Sequence, residues 1–313
     1  MLAYIARRLL ATVPVMVMVA VVVFAMLRLT PGDPAAILAG DDATGAQLEA
    51  IRQSMGLDQP ILTQFGVWMG QLARGDLGVS LLSGKPVLDL IGNRVGPTLA
   101  LALATIVVTV IVAVPMGIVA ARKRGKLLDR LVMTLSVFGF SVPTFVIGYL
   151  LIYLLALKLG WFPVQGYKPA AGGFWPFAHR LVLPTLALSG IYIALVARIT
   201  RSSIIEVMGE DFIRTARAKG ARERAILLRH ALRNAAVPIV TIIGIGVASL
   251  ITGVVVTESV FNLPGLGRLV VEAVLARDYP VIQGLILLFS FTYILINLVV
   301  DVLYTVFDPR IRY

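Results

Sequence analysis

The sequence predicts an all-α integral membrane protein with six transmembrane helices and an outer helical segment between spans one and two. Three observations lead there. Hydrophobic residues make up 58% of the 313-residue chain, and mean hydropathy is +0.91, whereas soluble domains are roughly 45–50% apolar. Six uncharged runs are long enough, or nearly so, to cross a hydrocarbon core of about 30 Å. The basic residues gather in the connectors on one side of those runs, as the positive-inside tendency expects.

The runs are 9–27, 95–121, 131–157, 181–197, 235–257 and 279–300. Arg7 and Arg8 precede the first, which is longer than a signal-peptide core and has no clean small-residue cleavage site after it. It reads as an uncleaved span with its N-terminus inside. The fourth run is the weakest, with 17 residues that include Pro184 and Gly190. Charge decides that it crosses. With six spans, the inside segments are the N-terminus, 122–130, 198–234 and the C-terminus. They carry two, five, nine and two basic residues, 18 of the chain's 28. Without the fourth span, nine of these would move outside.

The chain divides into an N-terminus with span one (1–29), an outer segment (30–94), a transmembrane core of spans two to six (95–306) and a C-terminal tail (307–313). The outer segment opens on Thr30-Pro31-Gly32-Asp33-Pro34, a turn signal. Thr44 and Gln47 fit a capping box. Leu48, Ile51 and Met55 fall on one helical face, as do Ile61, Phe65, Trp68 and Leu72, so two short helices are expected as a lid over the outer mouth. Gly75-Asp76-Leu77-Gly78 reads as another turn. Pro14, Pro115 and Pro143 fall within spans one to three, and Pro184 and Pro238 near the starts of spans four and five. Such breakers shape packing in membrane helices and permit bends.

Few ionisable groups sit at membrane depth. Glu258 follows the outer end of span five. Asp301 lies at the inner end of span six, with Asn297 one turn earlier. An intramembrane acid is a functional candidate, yet no run of acids marks a cation relay. The net charge of +11 could suggest nucleic acid, but its placement between apolar runs argues against that. There is no cysteine, and His179 and His230 lack metal-ligand spacing. Gly84-Lys85 is followed by Pro86 and lacks the other residues of a phosphate-binding loop. No H-E-x-x-H or G-x-S-x-G is present. No catalytic, metal-ligating or substrate-lining residue is assigned. If ATP drives this protein, another subunit must bind it.

The stretch 206–233 is the organising feature. Acids come early (Glu206, Glu210, Asp211) and bases follow (Arg214, Arg217, Lys219), which suits a helix dipole. Glu210 and Arg214 form an i,i+4 pair. Gly220 stands where a left-handed C-cap is needed. A second helical run is expected from about Ala221 to near Pro238. A basic helix-turn-helix between two spans reads either as a solvated loop or as a docking surface for an energy-supplying partner.

Arg214-Thr215-Ala216-Arg217-Ala218-Lys219-Gly220, continuing into Leu228-Arg229-His230-Ala231-Leu232-Arg233-Asn234, resembles the coupling loop of ABC importer permeases, in particular the B-type permease of dipeptide and oligopeptide importers. The likeness extends over nearly the whole chain. It includes the 30–34 and 75–78 turns and Ser141-Val142-Pro143-Thr144-Phe145. It also includes Phe261-Asn262-Leu263-Pro264-Gly265-Leu266-Gly267 and the ending Phe307-Asp308-Pro309-Arg310. The general importer motif begins Glu-Ala-Ala, where this chain has Arg214, Thr215 and Ala216. The glutamate and its ion pair to an ATPase therefore do not carry over, whereas the alanine and Gly220 do.

The resemblance implies the fold of a type I ABC importer permease in a bacterial cytoplasmic (inner) membrane, with both termini cytoplasmic. It implies a related second permease, two ATP-binding subunits that hold ATP and magnesium, and an extracytoplasmic substrate-binding protein. The chain itself would hold no cofactor, contact lipid and bind no nucleic acid. ATPase coupling falls to Arg214, Thr215, Ala216, Arg217, Lys219 and Gly220. The competing classes are an ATP-independent secondary transporter or channel, a membrane enzyme and a passive scaffold. The first would be expected to carry an ionic relay or paired broken helices, and the second a catalytic constellation. Neither is visible in the sequence.

Overall fold

The computed structural model describes residues 2–29, 34–39, 44–54 and 56–307. In order come α1 (Leu2–Leu29), α2 (Pro34–Ala39), α3 (Gly45–Ser54), α4 (Ile61–Ala73), α5 (Val87–Arg122), α6 (Leu127–Ser141), α7 (Thr144–Leu151) and α8 (Phe174–Val207). Then follow α9 (Asp211–Ala218), α10 (Glu223–Ala225), α11 (Leu232–Asn234), α12 (Ala236–Val260), α13 (Leu266–Leu275) and α14 (Tyr279–Phe307). Wider π-helical turns continue α7 through Ile152–Lys158 and fill Ile226–Ala231 between α10 and α11.

Each of the six expected runs is helical, but their forms differ. Helices α5 and α8, and the stretch Tyr279–Leu303 of α14, are each long and apolar enough to cross a membrane, and α1 carries the shorter apolar stretch Leu10–Met26. The third run is not one straight span. Helices α6 and α7 meet at 102°, because Pro143 offers no N–H and forces Val142 out of the helical region, to φ −91° and ψ 124°. The fifth run is the single helix α12, and a 58° bend precedes it where the segment Glu223–Asn234 meets α12.

The fourth run begins earlier and ends later than expected, as the 34-residue α8, so Pro184 lies in its interior. Its most apolar window is 56% buried against other protein, compared with 11% for α14. A helix that faces other helices instead of lipid need not be uniformly apolar. That is why span four looked weakest in sequence.

The chain forms two compact units, Met1–Gly96 with Arg268–Ile294 and Pro97–Gly267 with Leu295–Tyr313. In the first, Thr44 and Gln47 make the expected capping box at α3. The Thr44 N–H donates to Gln47 Oε1 (2.9 Å), and the Gln47 N–H donates to Thr44 Oγ1 (3.4 Å). Leu48 and Ile51 are half-buried, while Met55 and the turn at 30–33 lie outside the described residues. On α4, Phe65 and Trp68 pack on Phe24 of α1 at ring-centroid distances of 5.2 and 5.6 Å, whereas Ile61 is exposed. At the 75–78 turn the Gly78 N–H donates to Asp76 Oδ1 (2.8 Å). The next turn is fastened by the buried Asp278, which accepts from the Ser80 hydroxyl and from the Leu81 N–H. Gly84-Lys85-Pro86 belongs to this tight turn, closed by Ser80 N–H donation to the Lys85 carbonyl.

In the second unit α8 is central and packs against α6, α7 and α12. Its core joins Leu183 and Leu188 of α8 to Leu101 of α5 and to Leu250 and Val254 of α12. Gly117 permits a close crossing of α5 over α8, where an added Cβ would stand 2.7 Å from the Ala197 carbonyl oxygen. At the start of α6, the buried Asp129 accepts two hydrogen bonds from the Arg201 guanidinium of α8 and a third from the Gly125 N–H (2.8 Å). Asp301 is half-buried and Asn297 exposed on α14. His179 stacks on Trp175 and bonds the Trp161 carbonyl through Nε2. Among the described residues no group of His, Cys, Asp or Glu is arranged to hold a metal. The ending at 308–313 lies outside the described residues.

Candidate partner-docking loop

The basic loop is a short amphipathic helix lying on an apolar base. Helix α8 carries Glu206 near its own end and stops at Val207. The chain then turns through Glu210, which sits in extended backbone as the N-cap of α9. Ile213 is fully buried and Ala216 half-buried. They pack with Ile204 of α8, with Ile226, Leu227 and Ala231 of the return segment, and with Ile239 of α12. Alternation at helical spacing dictates this. Ile213 and Ala216 share the inward face, while Phe212, Arg214, Thr215 and Lys219 are exposed.

Gly220 ends the helix with φ +80°. The Gly220 N–H donates to the Arg217 carbonyl (2.9 Å) and the Ala221 N–H to the Ala216 carbonyl (3.1 Å). This is a Schellman closure, which needs a left-handed residue at that position. Arg217 then reaches across the turn, its Nε donating to Glu223 Oε1 at 2.7 Å. The Arg217 guanidinium holds the Glu223 carboxyl below the usual carboxylate range, and the pairing raises Arg217 in return. Arg214 pairs at 3.2 Å with Asp211 instead of Glu210. The Thr215 hydroxyl bonds back to the Asp211 carbonyl (3.1 Å).

The six residues singled out in sequence therefore occupy different positions. Arg214, Thr215 and Lys219 are on the open face. Arg217 is exposed but tied to Glu223. Ala216 faces the base, and Gly220 shapes the turn. Phe212, 42% exposed, was not singled out. Neither was Glu223.

At the far end of α12 the chain turns through Phe261–Gly267. Glu258 is completely buried. The Thr98 hydroxyl donates to its Oε1 (2.6 Å) and accepts from the Leu266 N–H (2.8 Å). The Leu263 N–H donates to the Glu258 carbonyl (2.9 Å), with Asn262 at φ +52°, so α12 ends in a left-handed cap as well. Gly265 and Gly267 lie against the carboxylate, leaving no room for a Cβ at either. The connector 159–173 is fastened here too, through Gly166 N–H donation to the Phe261 carbonyl (3.0 Å).

Comparison with known proteins shows the family. Residues 113–313 match the family described as "Binding-protein-dependent transport system inner membrane component", and residues 1–102 match its N-terminal companion family. The chain is 51% identical over 310 residues to "Probable peptide ABC transporter permease protein y4tP" of Sinorhizobium fredii, covering 99% of each. It is 46% identical over 313 residues to "Glutathione transport system permease protein GsiC" of Escherichia coli K12, covering all of both. A solved structure of the MetNI methionine ABC transporter in an inward-facing conformation has the same fold. The TM-score is 0.59 at 19% identity, over 71% of this chain and 97% of that one. With a matched core, a matched N-terminal region and full-length relatives, the chain belongs to the family of inner membrane components of binding-protein-dependent transport systems, the permease subunits of ABC importers.

Proposed function

We propose that this permease imports di- and oligopeptides, lining the pathway together with a second, related permease. Two separate ATPase subunits bind ATP and magnesium and seat on the open face of α9. An extracytoplasmic binding protein delivers the substrate at the opposite end of the bundle. Both termini and the α9 loop then lie in the cytoplasm, where the basic residues belong.

The observation that carries this reading is the build of α9. Its polar face is free, while Ile213 is locked into side chains from α8 and α12. When ATP draws the two ATPases together, a rigidly held α9 moves with them. Because its base is shared with two pathway-forming helices, the displacement is delivered to both. The Schellman closure and the Arg217–Glu223 pair keep α9 from tipping independently of the return segment. Peptide as cargo rests on the 51% identity to a probable peptide permease.

The test is purification of the tagged chain from its native membrane, followed by ATP hydrolysis with the binding protein added. Recovery of a related permease and ATPase subunits, with hydrolysis stimulated by short peptides, is expected. Repeated recovery of the chain alone, with flux in ATP-free liposomes, would instead establish a self-contained carrier. The 46% identity to a glutathione permease supports a second reading, in which the cargo is that tripeptide. Stimulation by glutathione and by no other peptide would select it.

A further inference from the structure

Beside α9 lies a groove of about 540 Å³ with a charge pattern that docking of α9 does not use. It opens where α5 and α8 end. Its floor and walls are apolar, from Ala121, Ile204, Met208 and Leu227, and its rim carries Arg122, Arg124, Arg217 and Arg224 with a single acid, Glu223. Arg217 is already neutralised by Glu223 at 2.7 Å. Among the described residues, Arg122, Arg124 and Arg224 have no carboxylate within ion-pairing distance. Arg122 acts on Glu223 and Arg124 on Asp129 only at longer range, so a rim of four arginines and one glutamate is net positive and attracts an anion.

We propose that this groove binds the phosphate headgroup of an anionic phospholipid. Guanidinium groups are matched to phosphate oxygens in charge and in bidentate geometry. Arg122 is the last residue of a membrane-crossing helix, so the rim stands at the level where a leaflet's headgroups begin. The apolar walls continue from that level and suit the glycerol and first acyl carbons, which a free inorganic anion lacks. Basic pockets at the ends of membrane helices bind anionic headgroups on these grounds. The consequence reaches the coupling loop. A headgroup in the groove touches the Arg217–Glu223 pair that braces the Gly220 turn, so lipid occupancy sets how firmly α9 is held. The inference does not depend on which substrate is carried.

The assembled complex, permeases with ATPases, is placed in bilayers of equal phosphatidylglycerol and phosphatidylcholine and examined by native mass spectrometry. Retained phosphatidylglycerol is expected on the wild type. It falls by about five-fold for each arginine removed in R122Q, R124Q and R224Q, and stays unchanged in R130Q, which lies outside the groove. The single variant R224Q carries the test if the other variants fail to assemble. Equal retention by the wild type and the groove variants overturns the proposal. So does loss of the lipid whenever the ATPases are bound, which would mean that they fill the groove. In a second arm the detergent-purified complex is titrated with inorganic phosphate. Arginine-dependent stabilisation by phosphate, without any preference for anionic lipid, overturns the lipid as the source of the anion.

Discussion

At the two ends of α12 the chain makes two connectors with different foundations. The α9 loop rests on apolar side chains, with Ile213 fully buried and the polar groups turned outward into surface ion pairs. The turn from Phe261 to Gly267 closes around a carboxylate, since Glu258 is fully buried and held by the Thr98 hydroxyl, while the Leu263 N–H is spent on the Glu258 backbone carbonyl and the Leu266 N–H on Thr98. The first arrangement leaves a polar face available to a partner. The second consumes its polar groups internally and fixes the backbone. The α9 loop is thus firmly seated but open, as the proposed coupling role would require, and the turn at the other end is closed on itself.

The largest effect is expected where the closed turn leaves no space. A Cβ on Gly267 would stand 2.5 Å from Val255 Cα and 2.9 Å from Val255 N. Backbone atoms of a packed helix cannot yield as a side-chain tip can. Gly267→Ala should therefore destabilise the protein by about 3 kcal/mol or more, read as loss of the monodisperse peak on heating in detergent. Gly267→Asn should be at least as damaging, because the obstacle is space and not backbone conformation. A Gly267→Ala protein as heat-stable as wild type would remove the contrast between the two connectors.

Next comes the buried hydroxyl. Thr98→Val removes a donor to Glu258 and an acceptor for the Leu266 N–H at once. An abandoned buried polar group costs about 1–3 kcal/mol. A lowered melting transition is expected, with unchanged ATPase association in the protein that survives. A lost ATPase with unchanged melting would show that this end, too, bears on partner docking.

The third comparison sets one glycine against another. Gly220 has φ +80° but nothing within 4 Å of an added Cβ. Its constraint is conformational, at about 1–2 kcal/mol for most side chains. Gly220→Leu should therefore leave a foldable protein whose ATP hydrolysis no longer drives uptake. Gly220→Asn should retain most uptake, because asparagine tolerates the left-handed region. Equal loss in both would mean that Gly220 is needed for close approach of a partner, and not for the turn.

Much of this was legible in sequence, for physical reasons that differ by element. The capping box at Thr44 and Gln47 and the left-handed turn at Gly220 are local, and local rules found them. The six runs followed from hydropathy and charge. The 102° break at Pro143 was only half visible, since a proline in a membrane helix can bend it slightly or divide it, and neighbours decide which. Asp129 stands in the basic connector 122–130, and its bidentate pairing with Arg201, 72 residues away, has no local signal. The same holds for Asp278 fastening the turn at Ser80, and for Thr98 reaching Glu258. Glu258 was flagged for its charge, but near an interface water could have served it. Only packing reveals that glycines and a threonine enclose it. Within α9, the exposure of Phe212 one turn from the inward Ala216 depends on packing, and the pairing of Arg214 with Asp211 over Glu210 depends on how the N-cap residue leaves the helix.

The smallest expected change in stability falls on the exposed pair. Arg217 and Glu223 are both solvent-accessible, where ion pairs contribute little to folding. Arg217→Gln should leave the melting transition where it is. Its effect should appear as weaker coupling, with more ATP hydrolysed per substrate imported, because α9 loses its brace to the return segment. The pH dependence has a definite sign. Glu223 is held below its ordinary value by Arg217, so the brace is complete above the usual carboxylate range, near pH 4.3. It is lost only as pH falls through the lowered value. Coupling measured between pH 5 and 8 should therefore be insensitive to this pair's titration in the wild type, and Arg217→Gln should reduce it by a constant factor across that window. A deficit that grew or vanished within the window would assign the effect to a different titrating group. A large drop in melting temperature would show that the open connector shares the closed one's dependence on its polar contacts.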